Sequence, residues 1–191
     1  MFVTRHSPVT DLSLRDRLWV LYQVAYANVA EATVTHEMLD RLEFDDQLLD
    51  PTNRAWVVWD DTTPIAMTLV ATDVRRTRWL SEHYFRAHFP EHFASGRVHY
   101  VVWVVVDPDY VARGASVFMS KQAMAVEASE GSLLVFDLPE VNQPNSEGGA
   151  AELMLRMAKM VGEVQLLNLT TQRYYALDFA VAPKFEDAVS R

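Results

Sequence analysis

The apolar positions of this chain recur with two different periods, and the change of period marks its elements. Leu14, Leu18, Leu21, Tyr22, Ala25 and Val29 fall three or four residues apart, which predicts a long amphipathic helix. Ser13 and Asp16 read as a capping pair at its start. Met38, Leu39, Leu42, Leu48 and Leu49 predict a second helix, capped by Thr35 and stopped by Asp50-Pro51. Residues 1–10 read as an arm or a first edge strand. Ala55–Trp59 and Ile65–Ala71 are aromatic and β-branched, and the polar stretch Asp60–Pro64 between them predicts a hairpin.

The longest β-branched run is Val98–Val106, the pattern of a strand buried on both faces. Asp107-Pro108-Asp109 stops it, since proline cannot donate to a ladder and aspartate favours turns. After Arg113-Gly114, a helix is predicted with Ala115, Phe118, Met119, Ala123 and Val126 on its buried face and Gly131 at its end. Ser132–Phe136 is the next strand, and the polar, breaker-rich residues 137–149 are a loop. Ala150, Leu153, Met154, Met157, Ala158 and Val161 predict a further helix stopped by Gly162, and Val164–Leu169 and Tyr174–Phe179 a final pair of strands. This order predicts an α/β (α+β) fold, a mixed twisted sheet of about six to seven strands flanked by helices. Residues 1–191 read as one domain, with an aromatic and histidine-rich insertion at 73–97.

Composition narrows the picture. Half of the residues are hydrophobic, a globular proportion, and no apolar run reaches the roughly 18 residues of a membrane helix. The first residues lack the apolar core of a signal peptide, so a cytoplasmic protein without membrane attachment is expected. The absence of cysteine excludes disulfides, thiolate metal sites and a cysteine nucleophile. A net charge of −9 disfavours nucleic-acid binding in spite of Arg75, Arg76 and Arg78, and favours a cationic substrate such as an amine.

His83, His88 and His92 in the insertion invite a metal reading. Their spacing does not place all three on one helical face, Pro90 interrupts any helix, and zinc needs three or four converging ligands; no metal is expected. Trp79, Tyr84, Phe85, Phe89 and Phe93 of the insertion are expected to pack on the sheet, to form a lid over a substrate, or to do both. Exposed, they would suit a homodimer surface.

The candidate chemistry lies at Val98–Gly131. A strand, a glycine-containing turn and a helix N-terminus together make an anion site, because the first-turn N–H groups lack partners and the helix dipole adds positive charge. Gly114 lets a phosphate approach the backbone, and Arg113 adds charge. Any βα unit offers part of this arrangement.

VVWVVVDPDYVARGASVFMSKQAM, within the same segment, resembles the cofactor-binding segment of the GCN5-related N-acetyltransferase superfamily. There a strand ends in V-x-P, followed by a loop of form Q/R-x-x-G-x-G/A and a long helix. Laid on Val111–Ser116, the central Gly114 matches, Val111 stands in the place of the Gln/Arg, and Ser116 in that of the last Gly/Ala. Two helices followed by a hairpin is also the opening order of that superfamily.

The resemblance implies an acyl-CoA N-acyltransferase-like fold and direct acyl transfer from acetyl-CoA or another acyl-CoA to an amine, on a small molecule or a protein. It implies that the fourth and fifth strands splay and that Trp103, Val104, Val105 and Val106 line the co-substrate. Val111, Arg113, Gly114, Ala115 and Ser116 would hold the pyrophosphate, and Asn142 and Asn145 the pantetheine arm. The tyrosine with which family members often protonate the leaving thiolate has no counterpart between Gly148 and Gly162. Tyr175, Tyr174, Glu140 and His99 are the catalytic candidates, and the base stays unassigned.

Two alternatives stand beside this reading. One is a catalytically degenerate CoA-binding or protein-interaction module. The other is an enzyme like the acyl-homoserine-lactone synthases, which Glu43-Phe-Asp45, Thr68–Asp73 and Trp79–Phe93 resemble. A DNA-modifying acyltransferase is disfavoured by the charge.

Overall fold

The computed structural model describes residues 1–27, 38–138, 149–171 and 176. In chain order its elements are β1 (Phe2–His6), α1 (Leu12–Tyr26), α2 (Arg41–Leu49), β2 (Asn53–Asp60) and β3 (Thr63–Ala71). There follow α3 (Glu82–His88), α4 (Pro90–Ala94), β4 (Val98–Val106), α5 (Ala115–Glu130), β5 (Leu133–Val135) and α6 (Ala150–Lys159). The strands form one sheet in the order β1-β2-β3-β4-β5. β1 to β4 are antiparallel neighbours, and β5 runs parallel to β4. A parallel step needs a crossover, which α5 supplies.

The two-residue period of the strands sorts their side chains between two layers. Val57, Met67, Leu69, Trp103 and Val105 face α1 and α2, where Leu14, Leu18, Leu21, Tyr22, Phe44 and Leu48 cover them. Trp56, Val58, Ala66 and Val70 face α5, which contributes Ala115, Met119 and Ala123. Each fully buried apolar side chain is worth about 1.5–3 kcal/mol. A third cluster answers the question of the insertion's aromatics. Phe85 is buried with Tyr84, Phe89 and Phe93 against Ala71, Val98, Tyr100 and Val135, so they pack on the sheet.

Several expectations are corrected. The sheet has five strands among the described residues, not six or seven. Val164–Leu169 forms no strand: Val164, Leu166 and Leu167 are exposed and only Leu169 packs on the core. Strand propensity alone does not make a strand, and no described segment pairs with this one. The other expected strand, Tyr174–Phe179, lies outside the described residues apart from Ala176.

The cap of α1 is Asp11, whose carboxylate accepts the N–H groups of Ser13 and Leu14 at 2.9 and 3.4 Å, so Ser13 sits inside the first turn. α2 starts at a capping box of Asp40 and Glu43; Thr35 lies outside the described residues. β4 is not buried on both faces throughout, since Val104 is 44% exposed. On α5, Phe118 lies at the exposed margin and Glu127 takes a buried place instead. α6 ends at Lys159, ahead of Gly162.

Candidate active site

The site is built around an irregularity in β4. Leu69 lies opposite Trp103 and Val70 opposite Val101, so Val102 is an extra residue in the strand. Such a bulge bends and twists the strand that carries it. β5 pairs with β4 only at Val98, His99 and Tyr100. The ladder therefore stops just before the bulge, and from Val101 to Val106 that edge of β4 carries no strand among the described residues. Among the described residues no strand pairs with the main-chain polar groups of that stretch.

Side chains of this stretch take different places. Trp103 and Val105 are buried under α1 and α2. The Trp103 ring stacks on Phe44 at 5.9 Å and meets Tyr22 edge-on at 6.0 Å. Thr68 Oγ1 donates to the Trp103 carbonyl at 2.9 Å, satisfying a buried acceptor beside the bulge. Val104 points to solvent, and Val106 packs half-buried on the α5 side. A ligand beside Trp103 and Val105 would meet backbone rather than their side chains.

Beyond β4 the chain makes a short 3-10 turn over Pro108–Arg113 and enters α5 through Gly114, whose φ of +76° is the left-handed region that suits glycine. No side chain caps α5. A Cβ placed on Gly114 would meet no heavy atom within 4 Å, so the space before the helix end is open. Ala115 is fully buried and pins the helix to the sheet, Ser116 is half-buried, and Val111 is exposed. The Arg113 guanidinium lies over the Tyr110 ring at 4.7 Å, and the Tyr110 hydroxyl donates to Asp60 at 2.9 Å. The bond to Asp60 holds the Tyr110 phenol above its ordinary pKa. It also ties the turn to the end of β2, placing a cation beside the uncapped helix end.

His99 is 3% exposed, and its Nδ1 lies 2.5 Å from Glu127 Oε2. Arg54 bonds the other Glu127 oxygen at 3.0 Å and Glu130 at 2.9 Å. Burial pushes the Glu127 carboxyl up, but His99 and Arg54 outweigh it and hold the group below the usual carboxylate range. The structure thus brings His99 into an ion-pair network beneath α5. His99, Glu127 and Glu130 are the one trio with metal-ligand proximity among the described residues, and both carboxylates are already paired with Arg54. His83, His88 and His92 form no such group.

On the opposite face, Tyr100 is 5% exposed and its hydroxyl donates to Asp137 Oδ1 at 2.6 Å. Burial, then the hydrogen bond and charge of Asp137, push the Tyr100 phenol far above its ordinary pKa. Tyr26, at the end of α1, is raised as well, chiefly by burial, with Tyr22 and Asp137 adding to it. Asp137 was legible in the sequence only as the first residue of a polar loop. The signal that could have marked it is its place two residues beyond the end of a buried strand.

Next to the bulge lies a cleft of about 280 Å³ bounded by Glu43, Asp46, Asp50, Arg76, Trp79 and Val102. Arg76 pairs with Asp50 at 2.8 Å and Arg78 with Glu43 at 3.2 Å, while Arg75 pairs with Asp73 at 2.7 Å. The three arginines that read as a basic patch each face a carboxylate. Glu140, Asn142, Asn145, Tyr174 and Tyr175 lie outside the described residues. No described helix is long and apolar enough to cross a membrane.

No protein-family profile matches the chain, and no curated protein matches it in sequence. Solved structures do match in fold. An aminoglycoside acetyltransferase, meta-AAC0020, from an uncultured soil metagenomic sample superposes with a TM-score of 0.53 at 13% identity, covering 93% of this chain and 96% of its own. The ribosomal-protein-S18-alanine N-acetyltransferase of Escherichia coli gives 0.51 at 10% identity, covering 84% and 77%. AAC(6')-Iy in complex with a bisubstrate analogue, CoA-S-monomethyl-acetylneamine, gives 0.52 at 10% identity, covering 92% and 100%. The chain has the fold of these N-acetyltransferases. That fold is the one implied by the resemblance of residues 98–131 to the GCN5-related superfamily.

Proposed function

We propose that this protein is an acyl-CoA-dependent N-acyltransferase that passes an acetyl or other acyl group directly to an amine. The observation that carries the reading is that the described β4–β5 ladder ends at Tyr100, two residues before the Val102 bulge, on the strand that leads into a helix end behind Gly114 with no side-chain cap among the described residues. A CoA pyrophosphate suits the first-turn N–H groups of α5, because they and the helix dipole favour anions, with Arg113 as an added cation. The amide-bearing arm suits the edge of β4 from Val101 to Val106, which pairs with no strand among the described residues on that side. Asn142 and Asn145 stay candidates for that arm on the resemblance alone, as do Tyr174, Tyr175 and Glu140 for proton transfer.

The thioester then lies between the diverging strands, close to the acidic cleft. An acceptor amine entering from the cleft attacks the carbonyl carbon as the carbon–sulfur bond breaks and the electron pair leaves with sulfur. The Asp46 carboxylate is not engaged in an ion pair among the described residues, and it gives the cleft an attraction for a protonated amine. The solved neighbours named as acetyltransferases of aminoglycosides and of a ribosomal-protein alanine support an amine acceptor.

Calorimetric titration with acetyl-CoA tests the reading. Saturable one-to-one binding is expected, and Gly114→Val should abolish it by filling the open space before α5. Absence of saturable binding to acetyl-CoA and to longer acyl-CoAs would sink the proposal.

A second reading follows from Val111, an exposed apolar residue where the resemblance calls for Gln or Arg. A domain that binds CoA without turnover would show tight binding and no thiol release across a panel of amines.

A further inference from the structure

We propose that Asp137, held in place by Tyr100, is the group that takes the proton from the acceptor amine. The inference rests on the acyltransfer reading above. It is carried by position. Tyr100 is the last residue of β4 paired with β5, opposite Val135, and the bulge that opens the sheet follows within two residues. Asp137 comes two residues after Val135, just past the end of the β4–β5 ladder. It is exposed, while its partner Tyr100 is buried. A buried donor thus fixes one carboxylate oxygen, at 2.6 Å, and leaves the other to an incoming ligand.

The surroundings fit the role. Tyr100 and Tyr26 are the titratable groups that bear on Asp137 from β4 and α1, and both phenols are pushed up and so stay protonated. Among the described residues no salt bridge ties up the Asp137 carboxylate. Trp79, which lines the cleft, has its ring 6.0 Å from that of Tyr100, so the cleft wall reaches the residue that holds Asp137. His99, the titratable candidate on the preceding residue, points to the other face and is locked to Glu127.

The step balances without another reactant. The acceptor ammonium first gives up one proton to solvent; the neutral amine nitrogen then bonds to the thioester carbonyl carbon, and as it regains positive charge its remaining N–H becomes acidic. Asp137 accepts that proton. The carbon–sulfur bond breaks with its electron pair on sulfur, and the thiolate recovers the proton from the carboxylic acid, giving amide and thiol. General-base assistance of this kind is worth about 10²–10⁴-fold.

The test compares wild type, Asp137→Asn and Tyr100→Phe. Acetyl-CoA binding is measured by calorimetry, and thiol release with spermidine, kanamycin and benzylamine across pH 5–9. Expected are an unchanged acetyl-CoA Kd in both variants and a kcat lowered at least about 100-fold in Asp137→Asn. Tyr100→Phe should lower kcat less and displace the acidic limb of the pH profile. An Asp137→Asn enzyme with kcat within threefold of wild type overturns the assignment, as does one that loses acetyl-CoA binding together with activity. A wild type that binds no acetyl-CoA, or binds it and releases no thiol with any of these amines, overturns the acyltransfer reading and this assignment with it.

Discussion

Trp103 donates its indole N–H to Gln47 Oε1 at 2.8 Å, fastening β4 to α2 just past the bulge. The indole is 6% exposed, so without Gln47 it would be a buried donor lacking a partner. Leaving such a group unsatisfied costs roughly 1–3 kcal/mol. Gln47→Ala should lower stability by about that amount in urea denaturation. It should also weaken acetyl-CoA binding, because the bulge loses its anchor. A variant as stable as wild type would show that the bulge needs no tether.

Gly114 separates two effects of a side chain. Its left-handed φ makes any other residue strained, by roughly 1–2 kcal/mol, while the space around it is open. Gly114→Ala should therefore keep the fold, with a modest fall in Tm. Its affinity for acetyl-CoA should fall at least about tenfold, a difference of about 1.4 kcal/mol. Calorimetry and a melting curve on the same preparation read the two effects apart.

The network of Glu127, His99 and Arg54 gives a pH dependence with a definite sign. The Glu127 carboxyl is held below its ordinary value of 4.5 in the folded chain. Its contribution is fully present above that value and is lost as the pH falls through the lower folded value. Glu127→Gln should destabilise by roughly 2–4 kcal/mol at neutral pH, since it breaks a buried ion pair. It should also flatten the stability profile on the acid side. Denaturation midpoints from pH 3 to 7 check both.

The capping box of α2 offers a local test. Asp40 accepts the Glu43 N–H at 2.8 Å, and the Glu43 carboxylate accepts the Asp40 N–H at 3.3 Å. Asp40→Ala should cost about 1 kcal/mol. Glu43 also lines the cleft, so Asp40→Ala should shift the cleft wall without removing a charge from it. Acetyl-CoA binding should stay unchanged, and its loss would connect α2 to the co-substrate.

Chain-local physics made much of this protein readable from its residues. The periods of the apolar positions placed α1, the β2–β3 hairpin, β4, α5 and β5. The breakers placed the turns, Asp107-Pro108-Asp109 ending a strand and Gly114 and Gly131 bounding a helix. The strand, glycine turn and helix start after β4 were legible because they follow one another in sequence. Where the reading slipped, two local signals competed, as at Asp11 and Ser13, or a propensity lacked a partner, as at Val164–Leu169.

What the residues alone determined were most of the described elements, their order and the place of the Gly114 turn, because each depends on neighbours within a few positions. The tertiary structure decided where the sheet opens and what stands at the opening. Val102 is extra only against the register of Leu69 and Val70, and Asp137 acquires its partner only because β5 aligns Val135 with Tyr100. His99 and Tyr100 are adjacent in sequence, and the pleat sent one to the buried Glu127 carboxylate and the other to Asp137. Registers and pairings join residues dozens of positions apart, and no local pattern carries them.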